Sequence, residues 1–218
     1  MAEQIEQVKG ILSIDFDYIM FPCINLYNDI TSGGENATVI WEMLKRERGI
    51  SDEFLLYDPK AYRAIIKLIK TIKDKDKNIE LISITEHDEL VSEIALGDET
   101  KYDLVNIDFH HDIMYRPTDR KNLKNFGTYN CSNWVGYLML NNKINSYTWI
   151  KAPNSSLYDH KLDGTYDIKF ETESIRAIED LDTFLSNHCF DKIFLCFSPQ
   201  WVPYKYKHLY DLIIDLFG

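Results

Sequence analysis

The chain has 218 residues, 45% of them hydrophobic, with only 9 Gly and 6 Pro, which fits one globular domain with a sizeable core and excludes a disordered chain. The net charge of −11 argues against a basic nucleic-acid-binding surface; it either steers a cationic substrate or partner inward or simply keeps the chain soluble. No apolar run is long enough to span a bilayer, and the opening residues MAEQIEQVKG lack the basic and apolar regions of a signal peptide, so a cytoplasmic protein without membrane or nucleic-acid partners is expected.

Residues 10–20 read as a first strand, β-branched and aromatic, with carboxylates near its end. A polar stretch with Gly33 and Gly34 reads as a loop. Residues 37–48 have helical spacing, and Gly49 is a plausible stop. Asp58 is placed to cap a helix over 60–73, where Ile65, Ile66, Leu68, Ile69 and Ile72 form an apolar stripe. Residues 79–84 are a second strand, followed by TEHDE and a short helix near 88–96. A third strand covers 103–109. Residues 113–131 lack periodicity and read as a long loop, a feature that is often functional in a compact domain. A helix is expected after Ser132, running through Trp134, Tyr137 and Leu138. Strands follow at 145–151 and 165–170, a helix at 178–187, a buried strand at 192–198 and a last amphipathic helix at 203–217.

This alternation predicts a single α/β domain over 1–218: a mainly parallel sheet between two helical layers, with its site at the carboxyl ends of the strands. The cysteines Cys23, Cys131, Cys189 and Cys196 include no CxxC pair and are read as reduced thiols.

Three strand ends carry residues that a buried sheet does not select. Asp15 and Asp17 follow the first strand. His87, between Glu86 and Asp88, follows the second, and Asp108, His110 and Asp112 follow the third. Residues two apart on a strand share a face, so Asp15 aims with Asp17 and Asp108 with His110, joined by Asp112 if the extended backbone continues. Each piece has a plainer reading. Asp15 and Asp17 could cap a turn, and His87 could be an exposed helix-start residue. DFHHD at 108–112 is more specific. Buried carboxylates gathered with imidazoles repel one another unless a cation intervenes, and this ligand set suits Mn²⁺, Fe²⁺, Co²⁺ or Zn²⁺.

These motifs resemble those of the arginase and deacetylase superfamily. DFHHD matches its Asp-x-His-x-Asp ligand motif, and SIDFD at 13–17 looks like its Ser-x-Asp-x-Asp motif, which in arginases comes second and here comes first. The closer resemblance is to a smaller group that opens with such a strand and includes the peptide arginases of ribosomal peptide biosynthesis. CSNW at 131–134 and SPQW at 198–201 are similar to segments of that group, and the likeness runs from about 10 to 210.

The resemblance implies an arginase-like fold holding two divalent metal ions, Mn²⁺ by preference, on Asp15, Asp17, His87, Asp108, His110 and Asp112. Asp15 and Asp108 would bridge the ions, His87 and Asp112 would complete one site, and His110 and Asp17 the other. His111, alternating away from His110, is read as supporting. Asp17 and His87 are the candidate catalytic residues, with Asp17 passing a proton to the departing amine. Glu86, Asn133 and Gln200 are candidate substrate contacts. The implied reaction converts arginine within a peptide to ornithine and releases urea. Gln200 departs from the group, which has Glu there, and offers a guanidinium only neutral hydrogen bonds. An amide hydrolase of deacetylase type, or a non-catalytic metal-stabilised peptide-binding protein, are the alternatives.

Overall fold

The computed structural model describes residues 9–21, 37–49, 51, 55–94, 100–113, 121–123, 125, 127–152, 155, 169–173 and 188–218. Strands β1 (Lys9–Asp15), β2 (Glu80–Ile84), β3 (Tyr102–Asp108), β4 (Ile144–Lys151), β5 (Lys169–Glu173) and β6 (Lys192–Cys196) form one sheet in the order β2-β6-β1-β3-β4-β5. Every pairing in it is parallel.

The helices are α1 (Ala37–Arg48), α2 (Pro59–Lys75), α3 (Leu90–Glu93), α4 (Trp134–Leu140) and α5 (Lys207–Phe217). Helix α1 ends where Gly49 adopts φ +64, as the sequence predicts. In α2 the Asp58 carboxylate accepts from Lys60 N at 2.7 Å, Pro59 occupies the first turn, and the stripe Ile65, Leu68, Ile69 and Ile72 is buried. The expected helix at 178–187 and the start of the expected strand at 165–170 lie outside the described residues, as do residues 114–120, 124 and 126 of the 113–131 loop. Among the described residues no helix is long and apolar enough to cross a membrane.

Side-chain alternation divides the core between the two faces of the sheet. Leu12, Ile14, Val105, Ile107, Ile193 and Leu195 pack against α2 and α5. Ile11, Leu104, Tyr147, Trp149, Phe194 and Cys196 pack against α4 and α3. Helix α4 comes so close to the backbone after β3 that a Cβ on Gly136 would stand 2.3 Å from the Ile113 carbonyl oxygen. Only glycine permits that approach.

The strand ends depart from expectation. The first strand stops at Asp15 instead of 20, because the Asp15 carboxylate accepts from Asp17 N at 2.9 Å and starts a 3-10 turn over Phe16–Ile19. β3 stops at Asp108 by the same device, with Asp108 Oδ1 accepting from His110 N at 2.7 Å. An aspartate that captures the N–H two residues on replaces the sheet ladder with a turn. The last strand ends at Cys196, two residues early, and Ser198 sits at φ +48.

Candidate metal centre

β1 and β3 are neighbours, but the chain leaves β1 for β2 on one side and β3 for β4 on the other. This is the point where an open parallel sheet parts its loops and leaves a crevice at the strands' carboxyl ends. Ile11, Ser13 and Asp15 share the α4 face of β1, and Leu104, Asn106 and Asp108 share that face of β3, with Ser13 paired to Asn106. A polar ladder therefore climbs from Ser13 and Asn106 to Asp15 and Asp108.

His87 arrives from the far side of β6. The pairing of β2 with β6 continues past both strands, with Phe197 N donating to the Ile84 carbonyl at 3.1 Å and Ser198 N to that of Thr85 at 3.0 Å. The next turn drops the His87 ring into the crevice, 1% exposed. Its Nδ1 stands 3.2 Å from Asp15 Oδ2, 3.2 Å from Asp108 Oδ2 and 3.1 Å from Asp112 Oδ2. His110 Nδ1 lies 2.9 Å from Asp17 Oδ2 and 3.8 Å from Asp108 Oδ1. Thus five of the six predicted metal-ligating residues come together in two overlapping groups: Asp15, His87 and Asp108, and Asp17, Asp108 and His110. Asp108 belongs to both, whereas Asp15, expected to bridge as well, falls in the first group alone. Asp112 reaches the first group without the continued strand expected from sequence, through a backbone at φ +50.

The groups could hold a metal ion, and the donor geometry fits one. Although three carboxylate oxygens lie near it, His87 Nδ1 makes no hydrogen bond among the described residues, and neither does buried Asp17 Oδ2. The donor atoms of each group converge on shared space. Ligand atoms about 2.0–2.2 Å from a common ion stand roughly 3.0–3.5 Å apart, which brackets the His87 contacts.

A ring of donors fixes the ligands from behind. Ser13 Oγ lies 2.6 Å from His87 Nε2. Ser198 Oγ donates to Asp15 Oδ2 at 2.5 Å, Asn106 Nδ2 to Asp108 Oδ2 at 3.0 Å, and Trp134 Nε1 to Asp112 Oδ2 at 2.8 Å. Phe109 N donates to Asp17 Oδ1 at 3.2 Å. Trp134 also stacks on His87 at 4.7 Å between ring centres, and Trp201 on His110 at 4.8 Å. Such outer partners orient ligands and set imidazole tautomers. His111 has a structural part in the turn after β3, its Nδ1 accepting from Ile113 N at 3.1 Å and its ring edge-on to Trp149.

The electrostatics are those of a crowded anionic crevice. Burial, with Asp15 and Asp108 alongside, holds the Asp17 carboxyl well above the usual range. Burial and the charge of Asp108 push Asp112 up to about 7. Burial opposes ionisation of Asp108 too, but His87 and His110 outweigh it and bring that group to about 2. Burial also works against a charged His87, yet Asp108, Asp112 and Asp15 raise it well above an ordinary histidine. A divalent cation would supply the positive charge that these protons otherwise provide.

Of the candidate substrate contacts, Glu86 and Gln200 form a pair, with Gln200 Nε2 donating to Glu86 Oε2. Burial raises the Glu86 carboxyl, offset by this bond and reinforced by Asp88, Glu89 and Asp15. Asn133 is occupied differently. It is buried at the start of α4, and its Oδ1 accepts from Asn130 N at 2.8 Å. Burial, and then Asp112, Asp88, Glu86 and Asp15, push the neighbouring Cys131 thiol up to about 12, which rules out a ready thiolate nucleophile.

Sequence reasoning did not assign roles to Asn106, Ser198 or the Trp134 indole. Asn106 carried a usable signal: a polar residue two before Asp108 in a buried strand shares its face. No protein-family model matches the chain, and no curated protein or solved structure matches it either.

Proposed function

We propose that the protein is a binuclear metal-dependent hydrolase with an arginase-like architecture, acting on arginine side chains within a peptide to give ornithine and urea. The observation that carries this reading is the sharing of Asp108 between two Asp/His clusters at the switch point of a parallel sheet. One buried carboxylate common to two ligand groups suits two ions close together better than a single ion.

Asp15, His87, Asp108 and Asp112 would hold one ion, and Asp17, Asp108 and His110 the other. Mn²⁺ suits a set of carboxylates with one imidazole each. Bound there, the ions would supply Lewis acidity and make hydroxide available near neutral pH. The chain's own residues supply the rest. Asp17, beside His110, would carry a proton to the departing amine. Glu86, held by Gln200, offers a carboxylate to a guanidinium, and the net charge of −11 favours a cationic peptide.

The test is to load the purified protein with Mn²⁺ and incubate it with an arginine-containing peptide and, separately, free arginine. Hydrolysis removes ~42 Da per arginine as the guanidine carbon leaves in urea. Peptide loss without loss of free arginine is the expected result. Equal rates on both would end the peptide-specific reading. No reaction with both ions bound would turn the assignment towards an amide hydrolase or a non-catalytic binding protein.

A further inference from the structure

The segment that follows β6 touches both halves of the centre. At 198–201 the chain makes a tight turn, with Trp201 N and Val202 N both donating to the Ser198 carbonyl at 2.9 Å. Its first residue reaches one metal group: Ser198 Oγ donates to Asp15 Oδ2 at 2.5 Å, and Ser198 is 3% exposed. Its last residue reaches the other group, with the Trp201 ring against His110. Between them Gln200 holds Glu86. The turn is itself held from outside the sheet, because Trp41 of α1 donates from Nε1 to the Pro199 carbonyl at 2.8 Å across 158 residues.

Resting on the metal-centre reading, we propose that the 198–201 turn is one clamp for both half-sites, in which Ser198 positions Asp15, Trp201 positions His110, and Trp41 sets the place of the turn. Ser198 is in the left-handed region at φ +48, which a residue with a side chain seldom adopts. Its hydroxyl donates to Asp15 Oδ2, the oxygen that stands 3.2 Å from His87 Nδ1, and so limits how that carboxylate can rotate. Among the described residues Trp41 makes no hydrogen bond to a ligand and reaches the centre through the Pro199 carbonyl, next in the chain to Ser198.

The experiment measures stepwise Mn²⁺ affinity of the full chain by competition with a chelator. It compares the wild type with Ser198→Ala, Ser198→Gly, Trp201→Leu and Trp41→Phe, and follows the thermal midpoint of each metal-free form. Both Ser198 variants should bind the ion that depends on Asp15 about 10- to 100-fold more weakly, the usual cost of removing a ligand's outer partner. Trp201→Leu should weaken the other step. Trp41→Phe, which keeps an aromatic side chain but removes the indole N–H, should weaken both, with the metal-free midpoint within a few degrees of wild type. Ser198→Gly with wild-type affinity would show that the backbone and not the hydroxyl matters, and would overturn the proposal. So would Trp41→Phe with both affinities unchanged. A wild-type chain that takes up no divalent ion would overturn this inference and the metal centre together. Two ions bound by the wild type and by every variant alike would overturn the clamp alone.

Discussion

Ser13 Oγ lies 2.6 Å from His87 Nε2, while the other ring nitrogen, Nδ1, faces the carboxylates. With Nε2–H given to the hydroxyl, Nδ1 keeps its lone pair for an ion. Ser13→Ala should therefore weaken divalent-ion binding by about 10- to 100-fold while leaving the sheet intact. Metal titration of the variant checks this, and an unchanged affinity would remove Ser13 from the site.

Asp108 and Asp17 differ in how many groups they serve. Asp108→Ala should abolish binding at both positions, whereas Asp17→Ala should weaken one, since Asp108 alone belongs to both clusters. Elemental analysis after saturation and desalting gives the stoichiometry. Two ions per chain retained by Asp108→Ala would show that the carboxylate is not shared.

The metal-free protein should lose stability as pH rises from about 5 to about 8. A carboxyl near 3.9 when unfolded and about 7 when folded, as at Asp112, binds its proton more tightly in the folded state. Its contribution therefore turns against folding as pH climbs between those values, by a few kcal/mol for a shift of that order. Asp17, also raised, acts in the same direction. His87, raised too, contributes stability below its ordinary value that is lost as pH rises through its folded value. Asp108, at about 2, works the other way and loses its contribution only as pH falls from about 4 towards 2. Excess Mn²⁺ should reverse the trend, because ions bind the deprotonated ligands. Thermal midpoints measured with chelator and then with Mn²⁺ test both halves. A metal-free chain more stable at pH 8 than at pH 5 contradicts the assignment.

Gln200→Glu should raise KM for an arginine peptide near neutral pH. Sequence alone suggests the opposite, because a second carboxylate could grip a guanidinium. In the structure Gln200 is the donor that holds Glu86, so the substitution removes that donor and sets two carboxylates together. Steady-state kinetics on a single-arginine peptide decide the matter, and a lower KM would restore the simpler expectation.

Much of the centre was legible because carboxylates and imidazoles at buried strand ends have few structural uses. Asp15, Asp108 and His87 could be placed that way. What alternation could not supply was the route by which Asp17, His110 and Asp112 reach the same crevice. Both strands stop at an aspartate whose own side chain turns the backbone, and Asp112 reaches in from a left-handed residue. Such turns depend on a competition between side-chain and ladder hydrogen bonds that hydrophobic periodicity does not register. The layers of the fold were readable from α2 and the apolar strands. The strand order was not, since Ser198 meets Asp15 across 183 residues of sequence.

That order has a consequence for how the centre comes into being. β6 is the last strand in the chain, yet it lies between β1 and β2, and His87 reaches Asp15 only over its end. During synthesis, Asp15, His87 and Asp108 exist long before residues 192–198 emerge to bring them together. The candidate ligands can therefore form one crevice only once residues 192–198 have entered the sheet between β1 and β2, and any metal ion held there as proposed would meet the complete donor set only from that point on.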